Sequence, residues 1–217
     1  MKRYDYILFD LDGTLTDPGL GITKSVEYAL NHYGITVEDR TELYPFIGPP
    51  LIDSFMKYYG FSKERAVEAV EVYREYFREK GLFENEVYPG VPEMLKALKN
   101  AGKTLLVASS KPEEFVLTIL QHFGLLEYFD FVGGAAMDET RTKKADVVQY
   151  VLQKAGIRDK RRAILVGDRE FDVNGAHAEG IDAIAVTYGY GSIEELTQSR
   201  PEMLTNTPDG ITKLLID

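Results

Sequence analysis

The sequence predicts an α/β protein, a parallel sheet interrupted near its start by an all-helical insertion. Three observations carry that prediction. From residue 86 onward short apolar runs alternate with helical patterns. The runs are apolar throughout instead of alternating, which suits strands buried on both faces of a parallel sheet. Residues 20–83, by contrast, hold helical periodicity and no convincing strand.

Taken in order, "YDYILFD" (residues 4–10) is the first strand. The insertion follows as "GITKSVEYALNHYG" and "SKERAVEAVEVYREYFREKG", with the loop "FIGPPLIDSF" between them. Its aromatics recur at helical spacing and read as the packing face of a helix. Strands are then expected at "TLLVASS" (104–110), "FDFVGG" (129–134), "AILVGD" (163–168) and "AIAVTYG" (183–189). Between them "VPEMLKALKNAG", "KPEEFVLTILQHFG" and "KKADVVQYVLQKAG" each close on a glycine, and Pro112 stands near a first turn, both ordinary helix punctuation. The tail "SRPEMLTNTPDGITKLLID" reads as a last strand, turn and helix. Alternating units of this kind require right-handed crossovers in one sheet. The expected division is an α/β core of residues 1–16 and 85–217 and a helical domain of residues 17–84.

Bulk properties exclude several classes. With 217 residues, 44% hydrophobic and 28% charged, the chain suits a globular protein with one sizeable core and a smaller lobe. It contains no cysteine, so thiolate metal sites, disulfides and cysteine nucleophiles are excluded and an intracellular setting is the default. The apolar run at the N-terminus stops at Asp10, too short for a signal peptide, and a cytoplasmic location is expected. A formal net charge of -10 repels polyanions, which argues against nucleic acid and anionic membranes as partners. An anionic substrate therefore needs a local positive site.

In an open α/β sheet ligands bind beyond the carboxyl ends of the strands. Those ends carry Asp10 with Asp12, then Ser109, then Asp168, while Lys143 and Lys144 open a helix. Asp10 and Asp12 stand two apart, so in extended chain both leave the same side of the strand. Asp168 and Asp172 would bring the carboxylates to four, a group that repels itself without a divalent cation. All-oxygen ligation by carboxylates, water and a substrate phosphate is the pattern of Mg2+. Each feature has a plainer alternative: an Asp-Gly turn at "DLDGT", a helix cap at Ser109 or Asp168, a solvated lysine at Lys144. A cap accounts for one aspartate of "GDREFD" and leaves Asp172 over.

Together, "DLDGT" (10–14), a strand ending in Ser109, a lysine at 144 and "GDREFD" (167–172) resemble, in order, the four motifs of the haloacid dehalogenase-like phosphohydrolases. The resemblance spans essentially the whole chain and implies a Rossmann-like core with a helical cap inserted after the first motif. It implies that Asp10 is the nucleophile, forming an aspartyl phosphate, and that Asp12 is the general acid and base. It further implies Mg2+ held by Asp10, the Asp12 carbonyl, Asp168 and Asp172. Phosphate would be held by Ser109 and Lys144, with Lys143 the alternative lysine, and by the backbone around Leu11 and Gly13. Within the family, dehalogenases lack the second aspartate, so the resemblance points to a phosphatase, with a phosphomutase as the alternative.

The phrases "TDPGLGITKSVEYAL", "FIGPPL", "GLFENEVYPG" and "VTYGYGS" resemble the phosphoglycolate phosphatase and 5'-nucleotidase-like group, the latter branch more closely. The expected substrate is a small phosphate monoester, a nucleoside monophosphate before phosphoglycolate. Lys24, Gly48 and Pro49 are the candidate specificity residues of the cap. A phospholigand-binding scaffold is the non-enzymatic alternative, but it would have no use for Asp12 or Asp172.

Overall fold

A computed structural model describes residues 4–138 and 140–216; the basic pair Lys2 and Arg3, which entered the reading of the N-terminus, Glu139 and Asp217 lie outside the described residues. The chain divides into two compact units, Met1–Thr16 with Val87–Asp217, and Asp17–Glu86.

The first unit opens with β1 (Tyr6–Phe9), and the chain leaves it through the short strand β2 (Thr16–Asp17). The second unit is helical: α1 (Gly19–His32), a 3₁₀ segment (Arg40–Phe46), α2 (Leu51–Tyr59), α3 (Lys63–Tyr76) and a π turn (Phe77–Gly81). Its centre is aromatic. Phe46 meets Phe55 edge-on at 5.0 Å, Phe55 stacks on Phe61 at 5.8 Å, and Tyr73 stacks on Phe77 at 5.2 Å. Tyr73 and Phe77 are buried, so the aromatics of "VEVYREYFREK" serve packing, as their helical spacing predicts. At the start of α3, Ser62 accepts a hydrogen bond from the Arg65 N–H and satisfies one free donor of the first turn.

The chain returns through β3 (Glu86–Val87), which pairs with β2. It continues as α4 (Val91–Asn100), β4 (Thr104–Pro112), α5 (Glu113–His122), β5 (Phe131–Ala135), α6 (Lys144–Lys154) and β6 (Ala163–Gly167). After these come α7 (Glu170–Ala178), β7 (Asp182–Val186), α8 (Ile193–Ser199), β8 (Met203–Thr205) and α9 (Pro208–Ile216). Several predicted strand boundaries move, β7 among them, which is Asp182–Val186 where 183–189 was expected. Residues 126–128 form a 3₁₀ turn and β5 begins only at Phe131, while β4 runs past Ser110 to Pro112, which caps α5 from outside.

Six strands form one sheet in the order β5-β4-β1-β6-β7-β8, and all its pairings are parallel. The chain first winds outward from β1 through β4 to β5, then crosses to β6 and winds the other way. Such a reversal of winding opens a crevice beyond the carboxyl ends of the strands on either side of it, here β1 and β6. Register brings these ends level: Phe9 lies opposite both Val107 of β4 and Val166 of β6. The strands are apolar throughout because helices cover both faces. On one face Leu8, Leu106, Leu165 and Ala183 pack with Val147, Val148 and Val151 of α6 and Val173 and Ala176 of α7. No helix among the described residues is long and apolar enough to cross a membrane.

Leu8 is fully buried in this cluster. Leu8→Ala is expected to cost about 2–5 kcal/mol through lost burial and the cavity it leaves, read from the shift of the urea unfolding midpoint at unchanged slope.

Candidate active site

Asp10 follows the last residue of β1 and Asp168 the last residue of β6; register sets Asp10 opposite Gly167, one position short of Asp168, so the two carboxylates meet only because the chain turns out of the strands here. The third comes from α7, whose first turn holds Asp172; its Oδ2 accepts the backbone N–H of Arg169 at 3.0 Å. One oxygen each of Asp10, Asp168 and Asp172 lies within 4.8 Å of the others, and all three residues are buried.

Lys144, the first residue of α6, answers part of that charge. Its Nζ stands 2.9 Å from Asp10 Oδ1 and 2.7 Å from Asp172 Oδ1, and donates to the Ala108 carbonyl at 3.0 Å. The neighbouring Lys143 is exposed, so of the two lysines only Lys144 reaches the aspartates. Its stem lies against α7, where a Cβ at Gly175 would fall 2.6 Å from Lys144 Cγ. A cation at a helix start opposes the helix dipole, and the two carboxylates compensate for it.

Asp168 is held by a hydrogen bond from the Thr14 hydroxyl to Oδ1 at 3.2 Å and one from the Tyr190 N–H to Oδ2 at 2.8 Å. It does not cap α7, whose cap position is Arg169, which removes the capping alternative. Gly13, at φ +82°, makes the approach possible, since a Cβ there would lie 2.2 Å from Asp168 Oδ2. The Gly13 N–H donates to Thr16 O at 2.8 Å, and the Leu11 carbonyl accepts from the N–H groups of residues 14, 15 and 16. These two residues therefore shape a tight turn, and what Gly13 offers a ligand is space. Tyr188, from the loop after β7, donates its hydroxyl to Thr14 O at 2.8 Å and ties the same turn down.

Asp12 is paired separately. Its Oδ2 takes a buried ion pair from Lys111 Nζ, while its Oδ1 is buried with no hydrogen-bond partner. Ser109 is not a helix cap, since α5 starts at Glu113; its Oγ accepts the Lys111 N–H at 3.3 Å.

Burial dominates the electrostatics. It raises the Asp168 carboxyl well above its ordinary range, and the charges of Asp172 and Asp10 push it further up against the Tyr190 N–H. Burial also raises Asp172, with Lys144 pulling it down and Asp10 pushing it up, and raises Asp12 against the pull of Lys111. For Lys144 burial disfavours the ammonium, but Asp10 and Asp172 outweigh it and hold the group above its usual range.

In the helical unit, Lys24 pairs with Glu84 at 2.6 Å, and the Tyr76 hydroxyl donates to the same carboxylate at 3.3 Å. Gly48 takes φ +106°, and the Gly48–Pro50 segment leads into α2 half-buried. Sequence reasoning missed Lys111, Thr14, Tyr188 and Tyr190. For Lys111 a signal existed, two positions after Ser109 on a strand end. Tyr190 contributes a backbone N–H, which any residue would supply.

Residues 7–186 match the sequence profile of the family described as Haloacid dehalogenase-like hydrolase. The chain belongs to that family. It is 47% identical over 199 residues to a 5'-nucleotidase of Pseudomonas aeruginosa, covering 92% of this chain and 90% of that protein. A "Tyrosine-protein kinase PtkA" of Mycobacterium tuberculosis is 37% identical over 92% of this chain and 68% of its own length. Among solved structures, a predicted phosphatase from Clostridium acetobutylicum superposes with a TM-score of 0.96 at 47% identity, over 98% of both chains. The protein is a phosphatase of the haloacid dehalogenase-like family, a phosphoric monoester hydrolase.

The raised Asp168 has a consequence with a definite sign. In the metal-free fold its carboxyl holds a proton that the unfolded chain, with a value of about 3.9, has lost. Stability therefore falls as pH rises from about 4 toward the folded value. Asp168→Asn removes that cost. In EDTA its Tm is expected to exceed that of the unsubstituted protein near neutral pH, with the gain shrinking as pH is lowered. Thermal melts across the range check this; a gain independent of pH, or a loss at every pH, would contradict it.

Proposed function

We propose that the protein is a Mg2+-dependent 5'-nucleotidase that hydrolyses nucleoside monophosphates through an aspartyl phosphate on Asp10. The observation that carries the chemistry is the buried convergence of Asp10, Asp168 and Asp172 within 4.8 Å, with one ammonium, Lys144, on Asp10 and Asp172. Three carboxyl groups beside one cation cannot all ionise in a buried site without further positive charge. The donor set is all oxygen, which fits Mg2+. Asp10, Asp168 and Asp172 would hold it, with the Asp12 carbonyl beside them. When bound, it would neutralise negative charge on the transferring phosphoryl group.

The chain's own residues divide the remaining work. Asp10, at the end of a rigid buried strand, attacks phosphorus in line with the departing oxygen. Lys144 holds the nucleophile's orientation and offers positive charge to the equatorial oxygens, where charge develops. The Ser109 hydroxyl, whose oxygen already accepts the Lys111 N–H, keeps its own proton to donate to the same phosphoryl group. Asp12, whose carboxyl burial raises, gives a proton to the leaving oxygen and takes one from the hydrolytic water. Gly13 leaves room beside the phosphoryl group.

The substrate class rests on the 5'-nucleotidase relative, 47% identical along nearly all of both chains. Lys24, Gly48 and Pro49 remain the proposed residues of leaving-group choice, with Lys24 reaching a substrate only by exchanging its Glu84 partner.

The test is phosphate release from AMP, UMP, phosphoglycolate and a sugar phosphate, compared by kcat/KM. Nucleoside monophosphates are expected to lead, activity to vanish in EDTA and return with Mg2+, and Asp10→Asn to lose on the order of 10⁴-fold or more in kcat with the fold intact by circular dichroism. Phosphoglycolate in the lead would overturn the substrate assignment; an undiminished Asp10→Asn would overturn the nucleophile.

A further inference from the structure

Lys111 is buried in the site beside Asp12. It stands at the irregular end of β4, where the register with β5 shifts between Ala108 and Pro112. Such an irregularity re-aims a side chain that a regular strand would send elsewhere. The Lys111 backbone is held by its N–H bond to Ser109 Oγ at 3.3 Å, and its ammonium meets Asp12 Oδ2. The side chains of the pair are 6% and 10% exposed, so this is no solvated surface bridge. Asp12 Oδ1 is left buried and unpartnered.

We propose that Lys111 is a positioning residue, clamping Asp12 by Oδ2 so that Oδ1 alone faces the leaving-group oxygen; this rests on the phosphatase reading of the site. A carboxylate on its own turns freely about its last torsion and presents either oxygen. An ammonium has three donors and no acceptor, so the oxygen against it keeps its charge best and the proton goes to the other oxygen. The clamp therefore selects both the orientation and the oxygen of proton transfer. In the first half-reaction a carboxylate oxygen of Asp10 bonds to phosphorus as the ester P–O bond breaks. The Asp12 Oδ1 proton passes to the departing oxygen, which leaves as an alcohol. In the second, water oxygen bonds to phosphorus, the Asp10–phosphorus bond breaks, and a water proton returns to Oδ1 as phosphate is freed.

A residue that acts through the general acid matters in proportion to the proton the leaving group needs. The experiment compares the best alkyl phosphate of the substrate panel with p-nitrophenyl phosphate, whose leaving group needs little protonation. Lys111→Met and Lys111→Arg are measured alone and in an Asp12→Asn background. Lys111→Met is expected to lower the rate of leaving-group release in a single turnover at saturating substrate, a rate free of the dephosphorylation step common to both esters, on the order of 10²-fold for the alkyl ester, far less for the aryl ester, with KM for both nearly unchanged. Lys111→Arg, which keeps charge and a donor, recovers part of the loss. In the Asp12→Asn background Lys111→Met adds nothing, because the pair acts as one unit. Equal losses on both esters, losses carried by KM, or full additivity with Asp12→Asn would overturn the proposal and make Lys111 a phosphate contact or a mere counter-charge. If Lys111→Met does not fold, Lys111→Arg and Lys111→Gln carry the same comparison of esters. An unsubstituted protein inactive on both esters would overturn the phosphatase reading, and this inference with it.

Discussion

The triple contact of Lys144 with Asp10, Asp172 and the Ala108 carbonyl is the constraint on which the site depends. It joins the ends of β1 and β4 to the starts of α6 and α7, four elements far apart in sequence. Bringing carboxylates together in a buried place costs several kcal/mol per uncompensated charge. The parallel sheet sets up that cost, because β1 and β6 are neighbours whose carboxyl ends carry Asp10 and Asp168. Lys144 offsets part of it, and α7 carries Gly175 where any side chain would displace the lysine stem. What packs α6 against α7 also aims the Lys144 ammonium at Asp10 and Asp172.

Two charge groups share the crevice and differ in balance. Lys111 sets one ammonium against the Asp12 carboxylate. Lys144 contacts two of a cluster of three carboxyl groups, and ionising all three leaves a net negative charge for a further cation to meet. The first group suits a side chain that exchanges a proton while staying in place; the second suits cation binding and a nucleophile that must remain ionised beside an anionic substrate. Separating them by lysine partner lets two aspartates two residues apart take different roles. The cost is local stability, a common exchange at sites organised for charge.

Much of this was legible in the chain because it rests on period and position. The run "YILF" ending at Asp10, the spacing of Asp10 and Asp12, and "GDREFD" after "AILV" locate strand ends by hydrophobicity alone. Lys144 was recognisable as a lysine at a helix start, where the dipole makes it anomalous. Contacts made through the backbone left no such trace. The Tyr190 N–H on Asp168 and the Thr16 carbonyl on Gly13 come from groups every residue carries. The Lys111–Asp12 pair depends on an irregularity in β4 that shifts its register, and a reading of "TLLVASS" as a regular strand stops one residue short of it. The start of β5 moved from Phe129 to Phe131, since apolarity alone does not mark where strand pairing begins.

The most direct measurement is chemical capture of the covalent intermediate. Turnover is quenched with acid, the protein is reduced with borohydride, and its peptides are mapped by mass. An acyl phosphate on Asp10 is reduced to homoserine, so the account predicts that change in the peptide carrying residue 10 and only when substrate is present. Reduction at Asp12 or Asp168 instead, or none during confirmed turnover, would contradict the assignment of Asp10 as the group on which phosphoryl transfer depends.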